Sequence, residues 1–260
     1  MEASDRPLAL VTGASSGIGL ELAKVFAEEG FDLVVAAEDD AIHATGIPGA
    51  KAVQVDLATE AGVQELYRRV LAVQRPLAAA ALNAGVGAGG AFATGTRLED
   101  ELRLIDLNVR GTTHLAKLLA RDMVARDEGR ILFVSSIAST MPGSFQAVYN
   151  ASKSFVQSLA LALREELKDT NVTVTTLMPG PTETEFFERA NMEDTRVGSA
   201  DKDDPADVAH DGYEALMAGK ERAVSASLST KIQGRFSRVL PDRAKAAMHR
   251  RMAEPGSGDE

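Results

Sequence analysis

The chain has 260 residues, of which 45% are hydrophobic and 25% charged, which suits one globular α/β domain and excludes a disordered or low-complexity chain. Its net charge of -10 argues against a nucleic-acid partner, which needs concentrated positive surface. Zero cysteines remove disulfides, thiolate metal sites and cysteine nucleophiles, and His43, His114, His210 and His249 lack ligand spacing, so no metal is expected. The stretch from Met1 to Pro7 has no basic leader, and no apolar run nears the roughly 20 residues that span a bilayer, so a cytoplasmic protein is expected.

In chain order, short apolar runs alternate with longer segments of helical period, the pattern of βα units and a parallel sheet. Leu8 to Thr12 is the first strand, and a helix follows over Ile18 to Glu29. Asp32 to Ala37 and Ala52 to Val55 are the second and third strands, with a helix over Glu60 to Val73. Ala78 to Asn83 is the fourth, a long helical stretch runs around Leu98 to Arg126, and Arg130 to Ser135 is the fifth. A helix over Ala151 to Lys168 leads to the sixth strand, Val172 to Leu177. Asp204 and Pro205 open a further helix to about Met217, because aspartate caps free amides and proline suits the first helical position. Ala223 to Ala226 is a weak seventh strand. The pattern predicts a three-layer α/β/α sandwich with a seven-stranded parallel sheet, one domain over 1–253, followed by a disordered tail at 254–260.

The run Thr12-Gly13-Ala14-Ser15-Ser16-Gly17-Ile18-Gly19 joins the first strand to the first helix. Gly13 permits the tight turn, and Gly17 and Gly19 let backbone approach a pyrophosphate at the helix N-terminus, with Ser15, Ser16 and Ile18 beside it. A dinucleotide cofactor follows, and the sheet is Rossmann-like. Ribose discrimination falls at the end of the second strand, in Ala36-Ala37-Glu38-Asp39-Asp40. Three consecutive carboxylates repel a 2′-phosphate and no arginine or lysine is near in sequence, so NAD is favoured over NADP, with Glu38 on the ribose. Downstream, Tyr149 and Lys153 stand one helical turn apart, where the ammonium favours the phenolate and brings an inert acid toward working pH.

In this register the motifs resemble the short-chain dehydrogenase/reductase family, from about Leu8 to Ala226. The family's Thr-Gly-x-x-x-Gly-x-Gly turn is matched at Thr12 to Gly19, its Asn-Ala-Gly segment at Asn83, Ala84 and Gly85, and its Tyr-x-x-x-Lys pair at Tyr149 and Lys153. The resemblance implies an NAD(P)-dependent oxidoreductase that moves hydride between nicotinamide and a carbonyl or secondary alcohol, with Tyr149 as general acid/base. It implies Ser136, thirteen residues before Tyr149, as the serine that hydrogen-bonds the substrate oxygen, with Ser135 as its local competitor. It implies that Lys153 lowers the Tyr149 pKa and bridges the nicotinamide ribose, and that Asn108 holds a water linking Lys153 to solvent. Around the cofactor it implies Asp56 and Leu57 at the adenine, Asn83, Ala84 and Gly85 along the chain, Pro179 and Gly180 after the sixth strand, and Thr184, with Thr182 as competitor, on the carboxamide. A homo-oligomer, dimer or tetramer, is also implied.

The substrate is expected to meet Ser136, Tyr149, Met141 and Phe145, with Phe186 and Phe187 from a lid over about 184–204, side chains that suit a mostly apolar small-molecule carbonyl or alcohol. From about 228 to 252 the chain is basic, and Ile232, Phe236, Val239 and Leu240 fall at helical spacing. That segment is expected to pack on its own domain or another subunit, not on a membrane. The alternative is a non-catalytic nicotinamide-binding sensor or scaffold on the same fold, which would usually have lost the tyrosine, lysine or serine. A dehalogenase-like lyase is opposed by Lys153 and the intact glycine turn.

Overall fold

Strand β1, Leu8–Thr12, is buried along its whole length, and its side chains alternate between two separate cores: Leu8 and Leu10 enter one, Ala9 and Val11 the other. That alternation is what a sheet covered on both faces requires. The structure, a computed structural model, describes residues 5–225 and 241–259. The remaining strands are β2 (Asp32–Ala37), β3 (Lys51–Gln54), β4 (Leu77–Leu82), β5 (Gly129–Val134), β6 (Val172–Pro179) and β7 (Arg222–Ser225). All seven run parallel in the order β3-β2-β1-β4-β5-β6-β7, the Rossmann-like sheet expected.

One core is closed by helices α2 (Glu60–Leu71), α4 (Thr112–Arg126) and α5 (Ala147–Glu166), through Leu66, Leu119, Met123 and Val156. The other is closed by α1 (Gly17–Glu28) and by the helix Pro205–Met217, where Phe26, Phe31 and Tyr213 meet edge to face. Capping follows the sequence signals: Thr59 accepts from the Gly62 amide, and Asp204 accepts from the Ala206 amide with Pro205 at the first helical position. The chain reverses its order across the sheet between β1 and β4, and the crevice outside the carboxyl ends of these strands is the place for a ligand.

Several expectations shift. The long helical stretch is broken into α3 (Leu98–Ile105), a π turn over Asp106–Gly111 and α4. Gly111 in that turn lies against the Leu57 carbonyl with no room for a Cβ, so the turn approaches the segment between β3 and α2 more closely than any other residue allows. Helix α5 begins at Ala147, four residues before the apolar period is visible, which brings Tyr149 inside its first turn. The expected lid contains two short helices, α6 (Phe186–Arg189) and α7 (Arg196–Ser199); the Pro205–Met217 helix is then α8. Ile232, Phe236, Val239 and Leu240 lie outside the described residues, and the described part of the basic segment is α9, Asp242–Ala253. The tail is not free through residue 259: the Gly256 amide donates to Asp194 Oδ2 and the Gly258 amide to the Asp194 carbonyl, both at 2.9 Å, while Ser257 Oγ accepts from the Arg196 amide at 3.1 Å. Backbone groups that would otherwise face water find partners on Asp194 and Arg196, which holds this short polar stretch in place.

Candidate active site

The glycine turn is fastened from below. Thr12 Oγ1 accepts from the amides of Asn83 and Ala84 at 3.0 and 3.1 Å, and Asn83 Nδ2 donates to the Thr12 carbonyl at 3.0 Å. Asn83 thus ties the end of β1 to the segment after β4. Gly13 and Gly17 take left-handed φ of 65° and 54°, and a Cβ on Gly13 would lie 2.9 Å from Ala84 Cα. Among the described residues the Ser16 side chain at the N-cap of α1 makes no cap hydrogen bond, so the first amides of the helix face the cleft. Open amides at a positive helix end, behind glycines that admit close approach, fit a dinucleotide pyrophosphate.

The turn opens into a cleft of about 550 Å³. It is lined by Gly13, Ser15, Ser16, Gly17, Ile18 and Gly19, by Glu38 and Leu57, and by Asn83, Ala84 and Gly85. Ser136, Met141, Tyr149, Lys153, Pro179, Gly180, Thr182, Thr184, Phe186 and Phe187 complete the expected set on its walls. Three expected residues stand behind the lining. Asp56 turns back into its own chain, accepting from the Ala58 amide at 2.9 Å where the segment enters α2. Asn108, in the π turn and 1% exposed, clasps Val86: Oδ1 accepts from its amide at 3.0 Å and Nδ2 donates to its carbonyl at 2.9 Å. Both ends of that amide are therefore occupied by backbone. Phe145, with φ of 65°, sends its ring under the Arg250 guanidinium, 5.5 Å away, so it supports the cleft wall from outside.

At the C-terminal ends of β5 and β6 the reactive side chains converge. Ser135 is turned inward, donating to the Lys153 carbonyl at 2.9 Å, whereas Ser136 hydrogen-bonds the Tyr149 phenol. Adjacent residues on an extended chain point to opposite sides, which separates the two serines. Burial pushes the Tyr149 phenol up to about 12, with the Ser136 hydrogen bond pulling the other way. Burial brings the Lys153 ammonium down to about 8; Nζ donates to the Val134 carbonyl at 3.0 Å and stands 5.9 Å from the Tyr149 ring centre. The lowering of the phenol expected from the lysine is outweighed here by desolvation of the phenolate. Phe186 of α6 covers the phenol, with ring centres 5.1 Å apart.

Beside the end of β2 the cleft holds a cation. Arg103, from α3, pairs with Glu38 and reaches Asp56 Oδ2 at 3.2 Å, while Ser15 Oγ donates to Asp39 Oδ2 at 2.7 Å. At the opposite end Met248, His249 and Met252 of α9 line the cleft. His249 is buried, and its Nδ1 lies 2.9 Å from the Ser144 carbonyl, so Nδ1 carries a hydrogen and donates; burial lowers its pKa.

Comparison with known proteins gives the family. The profile for short chain dehydrogenases matches residues 7–195. The chain belongs to that family. Dehydrogenase/reductase SDR family member 7B of Mus musculus is 28% identical, over 91% of this chain and 80% of its own. A short-chain dehydrogenase from Sphingobium yanoikuyae, solved in complex with NADPH, superposes with a TM-score of 0.78 at 27% identity, over 90% of this chain and 96% of its own. A short chain dehydrogenase/reductase from Burkholderia phymatum, solved in complex with NAD, gives 0.80 at 25% identity, over 90% and 94%. This dehydrogenase is an NAD(P)-dependent oxidoreductase of the CH-OH/C=O class.

Two parts of the dehydrogenase's site escaped sequence reasoning. Arg103 lies 65 residues from Glu38, on a helix whose period says only that one face is apolar. The α9 wall lies 105 residues from Ser144, in a stretch that reads as a basic surface helix. The clue available in the sequence was Met248 and Met252, four apart on one face beside His249.

Proposed function

We propose that this chain interconverts a mostly apolar secondary alcohol and its carbonyl form, using NAD in preference to NADP, with Tyr149 as the proton donor and acceptor. The observation that carries the reading is the grouping of Ser136, Tyr149 and Lys153 in the cleft that begins at the glycine turn. Bound nicotinamide supplies or accepts the hydride. During reduction the Tyr149 phenol, whose pKa is pushed up to about 12, gives its proton to the substrate oxygen; during oxidation its phenolate form takes the proton of the alcohol. Ser136 hydrogen-bonds the same oxygen as charge develops on it. Lys153, still a cation near neutral pH at a pKa of about 8, favours the phenolate that results. Asn108 fixes the Val86 backbone beside Gly85, and through Nδ2 bonds Ser152 Oγ at 3.1 Å, so it positions the floor under Lys153.

Met141, Phe186, Phe187, Met248 and Met252 support an apolar substrate. Glu38 and Asp39 beside the ribose end support NAD. Exposed Leu98 and Leu102 on α3 and Phe155 on the adjoining α5 support a homo-oligomer. Among the described residues no helix is long and apolar enough to cross a membrane, and with no cysteine the chain suits a cytoplasmic setting. The test is Tyr149→Phe assayed by nicotinamide absorbance across a panel of alcohols and ketones. Turnover should fall by roughly 10²–10⁴-fold while NAD binding persists. A variant that turns over as fast as the parent removes Tyr149 from the chemistry.

A further inference from the structure

Sequence places no cation near the carboxylates after β2, yet the fold brings one there. Arg103 reaches from α3 across the adenosine end of the cleft, pairs with Glu38, and bonds Asp56 Oδ2 at 3.2 Å and Oδ1 at 3.3 Å. It therefore ties the end of β2 to the segment after β3, and it lines the cleft beside Glu38. We infer that the Glu38–Arg103–Asp56 bridge decides which dinucleotide this chain accepts: Arg103 holds Glu38 ready for a ribose 2′-hydroxyl, and with Glu38 neutralised it becomes the ligand of a 2′-phosphate. This rests on the nicotinamide-cofactor reading above and adds the residue that sets its selectivity.

A guanidinium offers a planar fork that fits a phosphate as well as a carboxylate, and here the fork is shared between two carboxylates. Glu38, Asp39 and Asp56 oppose a single arginine, so the cluster stays anionic and a 2′-phosphate must displace Glu38 to reach Arg103. Side-chain exposures of 44% for Arg103 and 53% for Glu38 leave both in contact with water, so the exchange strands no buried charge. Removing the Glu38 charge frees one edge of the fork on the cleft side and takes away one repelling charge at the same step. Asp56 still anchors the arginine from below.

Calorimetric titration of the full chain with adenosine 5′-monophosphate and adenosine 2′,5′-bisphosphate, which differ in the 2′-phosphate alone, tests the inference by binding without any turnover. The parent should prefer the monophosphate. Glu38→Gln should bind the bisphosphate roughly 10- to 100-fold more tightly than the parent does, a gain typical of a charge-assisted, bidentate contact. Adding Arg103→Gln to Glu38→Gln should abolish that gain, whereas adding Arg103→Lys, which keeps the charge and loses the fork, should retain part of it. Melting curves without ligand confirm that each variant folds. The inference is overturned if Glu38→Gln gains nothing, or if the double variant with Arg103→Gln keeps the gain. Titration of the parent with NAD separates the two levels: a chain that binds NAD and fails the variant series refutes the bridge alone, whereas a chain that binds neither NAD nor the monophosphate refutes the cofactor reading as well.

Discussion

Gly13→Ala, set against Gly46→Ala, measures what the glycine turn is for. Both glycines adopt left-handed backbone, with φ of 65° and 69°, so alanine at either carries a strain of about 1–2 kcal/mol. Their surroundings differ. A Cβ at Gly46 meets nothing within 4 Å, whereas one at Gly13 lies 2.9 Å from both Ala84 Cα and Asn83 Nδ2, about half an ångström short of ordinary contact. Those atoms belong to the bonded seam between the turn and β4, so they yield only by pulling Asn83 off Thr12. Overpacking of that kind adds about 1–3 kcal/mol. Gly13→Ala should therefore lose about 2–5 kcal/mol, a fall in Tm of roughly 4–20 °C, against roughly 2–8 °C for Gly46→Ala. Melting with NAD at about a hundred times its Kd supplies the functional half: roughly 2.7 kcal/mol of stabilisation in the parent and in Gly46→Ala, and little in Gly13→Ala. Equal Tm losses in the two variants, with NAD stabilisation undiminished in both, would refute the claim that close backbone approach at this turn builds the pyrophosphate site.

Lys153 and Tyr149 give opposite pH signatures. The lysine has a folded pKa of about 8 against an ordinary 10.5, so between these the unfolded chain binds more protons and stability rises with pH, then is lost as pH falls back through 8. Tyr149, raised from 10.0 to about 12, does the reverse: its contribution is complete below pH 10 and is lost as pH climbs toward 12. Urea midpoints followed across this range should lose the rise above pH 8 in Lys153→Met; an unchanged slope assigns it to another group. His249→Ala removes a ring that bonds the Ser144 carbonyl at 2.9 Å and lines the cleft, and should destabilise by about 1–3 kcal/mol while raising KM for the substrate and leaving NAD affinity in place. A matching loss of NAD affinity would move the α9 wall to the cofactor's half of the cleft.

What could be read from the chain alone was whatever depends on near neighbours. Apolar period placed the seven strands within two residues at each end, because alternation and helical spacing are properties of a few consecutive side chains. The glycine turn was legible because a left-handed φ and a bare helix end are local demands. Tyr149 and Lys153 were legible as a pair, since four residues make one turn of helix. The register with Ser136 was legible too, although the choice between Ser135 and Ser136 became physical only when one was seen donating to the Lys153 carbonyl.

Tertiary structure decided the rest. Asp56 and Phe145 lie in sequence among residues that do line the cleft, and they left it because a turn and a left-handed backbone redirected their side chains. Arg103 joined Glu38 across 65 residues, and α9 closed one end of the cleft against Ser144 across 105. Neither meeting is encoded near either partner. Local sequence sets which way a helix turns its apolar face, but the point where its polar face lands depends on how every layer of the sandwich packs, and the charge compensation at Glu38 and the α9 wall of the cleft arise there.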